Sequence, residues 1–355
     1  MEARIDLAAA RVRLPGLGWS KQPGTAGGAE IALHLENNEI SAIRRFAVTA
    51  GDLRAQGSVA FEAGQPRKVE VQRLTYGGRT DLSGTLGLRP GGGLDLVVRG
   101  DQFNAQPVVG DEEPQPGDPP PRPKGEGTRA RSSQPPMTVD ATVKTLWLSK
   151  AGALTGVSAQ MQRDGDDWRQ MNIRGGLGQG HGIAVSLRQT APGRRSLKVT
   201  SDDAGALLKA FDTYGHMVAG QLEVEAVYED DKDGQPLTGT IRVRDYYIVN
   251  APALARLLTV AALTGILDIL QDQGVSFSTL EVPFTLKDGL MNVRDARAYG
   301  PALGLTAKGE VDLDAKRMAM EGTVVPALTP GFLRRLFNIF DDGSETEARK
   351  KSPAR

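Results

Sequence analysis

From Ile31 to about Val98 apolar and polar residues alternate with a period of two. Ile31, Leu33 and Leu35 keep this beat, as do Leu53, Ala55, Gly57, Val59 and Phe61, then Val69 and Val71, then Leu94, Leu96 and Val98. Turn-forming runs such as Glu62-Ala63-Gly64-Gln65-Pro66 and Pro90-Gly91-Gly92-Gly93 separate them. Successive side chains of a strand point to opposite faces, so this pattern predicts antiparallel hairpins with one apolar and one wet face. The beat resumes at Thr138 to Leu148 and runs on to Leu197 and Val199. Leu222 to Tyr228, Leu237 to Tyr247 and pairs of strands up to Val325 continue it. Within residues 284–313, Phe284 and Leu286 oppose Thr285 and Lys287, and Lys287-Asp288-Gly289 turns the chain. The fold class this predicts is mainly β.

Three stretches break the pattern. Residues 108–136, "VVGDEEPQPGDPPPRPKGEGTRARSSQPP", hold too little apolar surface to offset their ordering entropy and read as a linker or a long loop in one sheet. Residues 201–215 predict a short helix, with Ser201 or Asp202 accepting from free first-turn amides and Gly215 closing it. Residues 250–274 predict the one long helix, capped by Asn250, with Pro252 in its first turn and Gly274 at its end. Its uncharged run, Leu257 to Leu267, is far shorter than the ~20 residues of a membrane span, which favours docking on a sheet. Near the end, Phe332, Leu333, Leu336, Phe337 and Phe340 share a helical face opposite Arg334 and Arg335, suited to a membrane interface or to capping a sheet edge. The tail after Asp341 is charged and reads as disordered.

Composition narrows the function classes. Lys plus Arg and Asp plus Glu are both 43 in 355 residues, a balance that argues against a nucleic-acid partner. The absence of cysteine removes disulfides and thiolate metal sites. His34, His181 and His216 lie far apart without nucleophile or ligand companions at usable spacing. "GGLGQGHG", residues 175–182, has His181 where a dinucleotide loop needs its third glycine, and predicts a tight strand connection instead. "YEDDKDGQPL", residues 228–237, has half of a calcium loop, but Thr240 stands where the bidentate carboxylate belongs, so a hairpin turn is the better reading. No enzyme, cofactor or metal site is expected. The opening "MEARIDLAAARVRLPG" shows no targeting segment and reads as a chain already inside a strand: either the protein is not exported, or Met1 marks a fragment or a miscalled start of something longer, which is the favoured reading.

The order of motifs from 196 to 326 carries a resemblance. A Ser-Asp-Asp-Ala-Gly helix precedes a strand leading to Asn-Ala-Pro and the Leu-rich helix; then come "YGPALG", "GEVDL" and "MEGTVVP". This resembles the C-terminal region of the AsmA-like family, in particular its YhdP-type branch of Gram-negative bacteria, and "LPGLGWSKQPGTAG" at 14–27 is similar to a piece of its preceding repeats. The resemblance implies a long curled antiparallel β-sheet, a taco-like groove with an apolar lining and a few capping helices. On it, residues 1–107 are groove repeats and 108–136 a disordered loop. Residues 137–326 form the C-terminal groove with helices at about 202–214 and 251–273, 327–341 an amphipathic helix, and 342–355 a disordered tail.

It also implies a bridge-like lipid-transfer protein of the periplasm, anchored to the inner membrane when full-length. Such a protein moves phospholipid between inner and outer membrane and supports the outer-membrane barrier. Its partners would be phospholipid acyl chains, the membrane and envelope proteins at its ends, with no nucleic acid. Strand parity nominates Val282, Phe284, Leu286, Leu303, Leu305, Val311 and Leu313 as groove lining, and the 327–341 helix as membrane- or cap-facing. Charged substitutions such as Phe284→Asp or Leu305→Lys are then expected to abolish transfer and spare the fold. The rival reading is a structural or assembly module for outer-membrane biogenesis whose apolar face binds protein; a β-solenoid adhesin fits less well, since the segments vary in length.

Overall fold

The computed structural model describes the chain except residues 15–16, 37–38, 110–133, 253, 257–273 and 327–355. The predicted 327–341 helix, the tail, and all but the start of the 251–273 helix therefore lie outside the described residues. Strands dominate, in line with the alternation. The first half holds β1 (Glu2–Asp6), β2 (Val12–Leu14), β3 (Trp19–Lys21), β4 (Gly27–Glu36), β5 (Glu39–Ala50), β6 (Leu53–Glu62), β7 (Gln65–Tyr76), β8 (Thr80–Leu88), β9 (Leu94–Asn104) and the short helix α1 (Gln106–Val109). Next come β10 (Met137–Trp147), β11 (Ala153–Asp164), β12 (Asp167–Gly178), β13 (His181–Ala191), β14 (Arg194–Ser201) and helix α2 (Ala204–Ala210). The last are β15 (Met217–Glu229), β16 (Leu237–Ile248), β17 (Val275–Lys287), β18 (Leu290–Tyr299), β19 (Leu303–Asp312) and β20 (Arg317–Pro326).

Eighteen strands form one sheet, and β2 pairs with β3 in a small second one. In the large sheet β1 pairs with β4, and from β4 each strand pairs with the next through β20. The expected curled, wholly antiparallel groove is corrected on two counts. One pair, β9 with β10, is parallel, so the sheet is mixed. The sheet is also open, neither closed nor strongly curled. The parallel pair has a physical cause: the connection after Asn104 is long enough to carry the chain back to the opposite margin, which a hairpin cannot do. Curvature was never written in the alternation, which tells only that one face is apolar.

Polar side chains pin the parallel junction. Arg89 donates from Nε to Asp95 Oδ2 at 2.8 Å, and the Thr138 hydroxyl, across the junction from Asp95, donates to its Oδ1. The Arg89 guanidinium first and the Thr138 hydroxyl second hold the Asp95 carboxyl down at about 2. A carboxyl depressed on folding adds stability above its unfolded pKa of about 4, and loses it as pH falls toward about 2. Because both side chains are solvent-exposed, the contribution is that of a surface pair, about 0.2–1 kcal/mol. Asp95→Asn is expected to lower urea stability by that amount at pH 7, and the gap to close at acid pH. A gap of the same size at both pH values would sink this account.

The hairpin turns use residues that accept positive φ. Asp288-Gly289 joins β17 to β18 with φ of 50° and 79°, and Gln179-Gly180 joins β12 to β13 with φ of 51° and 85°. The second lies inside "GGLGQGHG", which is thus a two-residue strand connection, the primed turn matching the twist of the flanking strands. Asp203 caps α2, accepting from the Ala206 amide at 2.8 Å, in place of the expected Ser201 or Asp202, and α2 ends at Ala210 rather than near Gly215. Pro252 and residues 254–256 are helical, which marks the start of the predicted long helix.

The two margins of the sheet differ. The β2–β3 hairpin, α1, α2 and the helical residues Pro252 and 254–256 all emerge from one margin, at the ends of β1, β9, β14 and β16. Of the four buried clusters among the described residues, three lie there. Trp19 packs with Ala50, Leu53 and Tyr76; Ala105 and Ala210 with Leu148, Leu154 and Val157; Ala251 and Leu254 with Tyr246, Val275, Phe277 and Leu303. The Trp19 indole donates to Asp52 Oδ1 at 2.9 Å and the Tyr76 hydroxyl to the Leu17 carbonyl at 2.8 Å, which ties the β2–β3 cap to the sheet. Gly18, at φ 58°, lets Pro107 of α1 approach where a Cβ would stand. The other margin carries turns between strands, and among its described residues no helix.

Candidate apolar binding face

Cross-strand pairing carries apolar side chains across the sheet in register. One row runs Ile31, Phe46, Gly57, Val71, Gly84, Val98 and Ala141. The same row continues through Ala159, Ile173, Val185, Val199, Val224, Ile241 and Val282, one residue from each strand from β4 to β17. Beyond a bulge in β18, the face continues as Leu280, Ala298, Leu305 and Val324. The bulge inserts an extra residue into β18, so Val293 and Ala296, of opposite parity, are both buried. Along most of the row the side chains are half-buried. The opposite face is polar and laced by ion pairs: Arg99 with Asp140 at 2.9 Å, Lys198 with Glu223 at 2.7 Å, Arg242 with Glu281 at 3.1 Å and Lys308 with Glu321 at 2.9 Å.

Of the nominated lining, Val282, Phe284, Leu286, Leu303, Leu305 and Val311 lie in strands on this one face. Leu313 lies just past β19, in the turn, and is exposed. The six differ in access. Phe284, 4% exposed, is enclosed by Ala226 and Leu237, and Leu303 is 0% exposed under Ala251 and Leu254, so these two build core. Val282, Leu286, Leu305 and Val311 remain half-open. The nominated Phe332, Leu333, Arg334, Arg335, Leu336, Phe337 and Phe340 lie outside the described residues. The parity argument missed the longer part of the face, from β4 to β16, although its alternating runs were visible in the sequence.

Charge enters the apolar face near the hairpin margin, where Arg163 faces the same way as Met161 and Arg195 the same way as Leu197. Arg195, on the same face as Leu197 and Val199, is 4% exposed near the hairpin margin. It donates to both Asp230 oxygens at 2.6–2.9 Å and to the Trp168 carbonyl at 2.6 Å, with its guanidinium 4.5 Å from the Tyr228 ring centroid. A buried cation so fully paired is structural, locking three hairpin ends together, since removing either partner would strand an uncompensated charge. Tyr246 is pushed up in pKa by burial and stacks on Phe277 at 5.2 Å. Among the described residues no three His, Asp or Glu side chains gather to hold a metal ion, and no helix is long and apolar enough to cross a membrane. The 229–237 stretch, with its half calcium loop, links β15 to β16 as a hairpin. Comparison with family models, with curated proteins and with solved structures found no match for this chain.

Proposed function

We propose that the chain is a non-enzymatic lipid-binding segment, with acyl chains lying against the apolar face. The observation that carries this reading is the row of apolar residues, interrupted only by Gly57 and Gly84, over fourteen successive strands, with caps only along one margin among the described residues. A sheet buries its apolar face against another layer or leaves it open to a ligand. Strands of ten to thirteen residues extend roughly 33–43 Å, enough for one acyl layer of about 15 Å beside the caps. Each methylene laid on the face would contribute about 0.8 kcal/mol. The AsmA-like motifs support the same reading and its setting, a periplasmic protein held at the inner membrane that passes phospholipid toward the outer one.

The second reading, an assembly module whose face binds protein, draws on the packing of Phe284 and Leu303, which the protein already covers by itself. Mass spectrometry of lipids extracted from detergent-free protein, purified from a bacterial periplasm, separates the two. Retention of about one phospholipid or more per chain is the expected result. A folded, lipid-free protein would favour the assembly module.

A further inference from the structure

We infer that the polar face carries a binding site for a phosphate-bearing anion, in the depression that crosses β12 to β16. The depression measures about 660 Å³. Arg174 of β12 lines one side, and Arg242 and Arg244 of β16 line the other. Between them the floor is made by short side chains, Ala184 of β13 and Thr200 of β14. Four ladder steps separate the outer strands, about 19 Å at the backbone, which long guanidinium side chains narrow from both sides.

Charge pairing decides which groups are available. Arg242 is engaged by Glu281 at 3.1 Å and Glu225 at 3.7 Å. Of the two carboxylates in the depression, Glu223 accepts from Lys198 at 2.7 Å. Asp202 accepts from the Gly182 amide at 2.7 Å and lies 3.5 Å from His181 Nδ1. Arg174 and Arg244 form no ion pair within 4 Å among the described residues, although the charge of Arg244, after that of Lys198, helps hold the Glu223 carboxyl below its usual range; both arginines are exposed to solvent. Two guanidinium forks outside any short ion pair, lining one depression together with Thr200, fit the oxygens of a phosphate, which such forks bind in bidentate fashion. Lys198 is ion-paired with Glu223, and in the lining of the depression the three arginines outnumber the two carboxylates, Asp202 and Glu223. The site lies on the face opposite the apolar row, so it stands whether or not that row binds lipid.

The test titrates the full chain with inorganic pyrophosphate, glycerol 3-phosphate and dihexanoyl phosphatidic acid, by calorimetry at low ionic strength. Saturable binding is expected, weakened about tenfold in Arg174→Ala and in Arg244→Ala and lost in the double variant. Arg188→Ala, on the same face outside the depression, should leave it unchanged. Tighter binding of the phosphatidic acid than of glycerol 3-phosphate would support the site and assign the phosphate to a lipid headgroup. Equal affinities would support it with a free phosphate as ligand. No saturable binding at millimolar concentration, or binding that neither arginine variant weakens, would overturn the proposal.

Discussion

Phe284→Asp is expected to unfold the protein instead of sparing its fold. Parity alone made Phe284 a candidate for contact with a ligand, but its ring is closed over by Ala226 and Leu237, with Leu286 and Met291 packed alongside. Removing such a ring costs about 3–5 kcal/mol. A carboxylate in its place adds the cost of an uncompensated buried charge, which a domain stable by about 5–15 kcal/mol can hardly bear. Gly239 lies directly across from Phe284 on β16, where the close approach of Ala226 leaves no room for a Cβ, so no neighbour there can swing in to fill the gap. Circular dichroism with urea should show a large drop in midpoint for Phe284→Ala and no cooperative transition for Phe284→Asp. A Phe284→Asp protein with the midpoint of the parent would mean that this cluster is not core.

The case of Phe284 shows what was legible in the sequence and what was not. Alternation placed Phe284, Leu286 and Val282 on one face, and the structure puts them there, opposite Gly239, Leu237 and Ile241. How deep each sits depends on partners far away in sequence, such as Ala226, and a period of two has no access to those. Parity also fails locally where the backbone departs from the pleat. Val243 and Tyr246 are both buried in one cluster although three residues apart, because Asp245 between them takes a positive φ of 53°. The two-residue turns at Asp288-Gly289 and Gln179-Gly180 were visible because each ends in a glycine, which accepts such φ values without steric cost. The parallel pairing of β9 with β10 was not, since a proline-rich run looks the same whether it closes a hairpin or crosses a sheet. The Arg195–Asp230 lock escaped for another reason: an arginine in an alternating run looks solvated until the hairpin ends meet around it.

Lipid retention should then be removed by charge placed in the half-open middle of the face. Val185 and Val199 are paired across β13 and β14, both half-buried, and neither belongs to a buried cluster. Water still reaches them in the free protein, so a carboxylate there stays solvated and the fold tolerates it. An acyl chain laid on the row would take that water away, leaving each carboxylate without a partner at a cost of about 1–3 kcal/mol. Two together amount to roughly a 30-fold or greater loss of affinity. Val185→Asp combined with Val199→Asp should therefore empty the protein of phospholipid while its circular dichroism and urea midpoint stay near those of the parent. Ser186→Asp is the matched control, since one residue along the strand the side chain points to the polar face. If the folded double variant keeps its lipid, acyl chains do not lie on this row, and the apolar face must serve a protein partner. If Ser186→Asp loses lipid equally, net charge rather than the face is what the measurement reports.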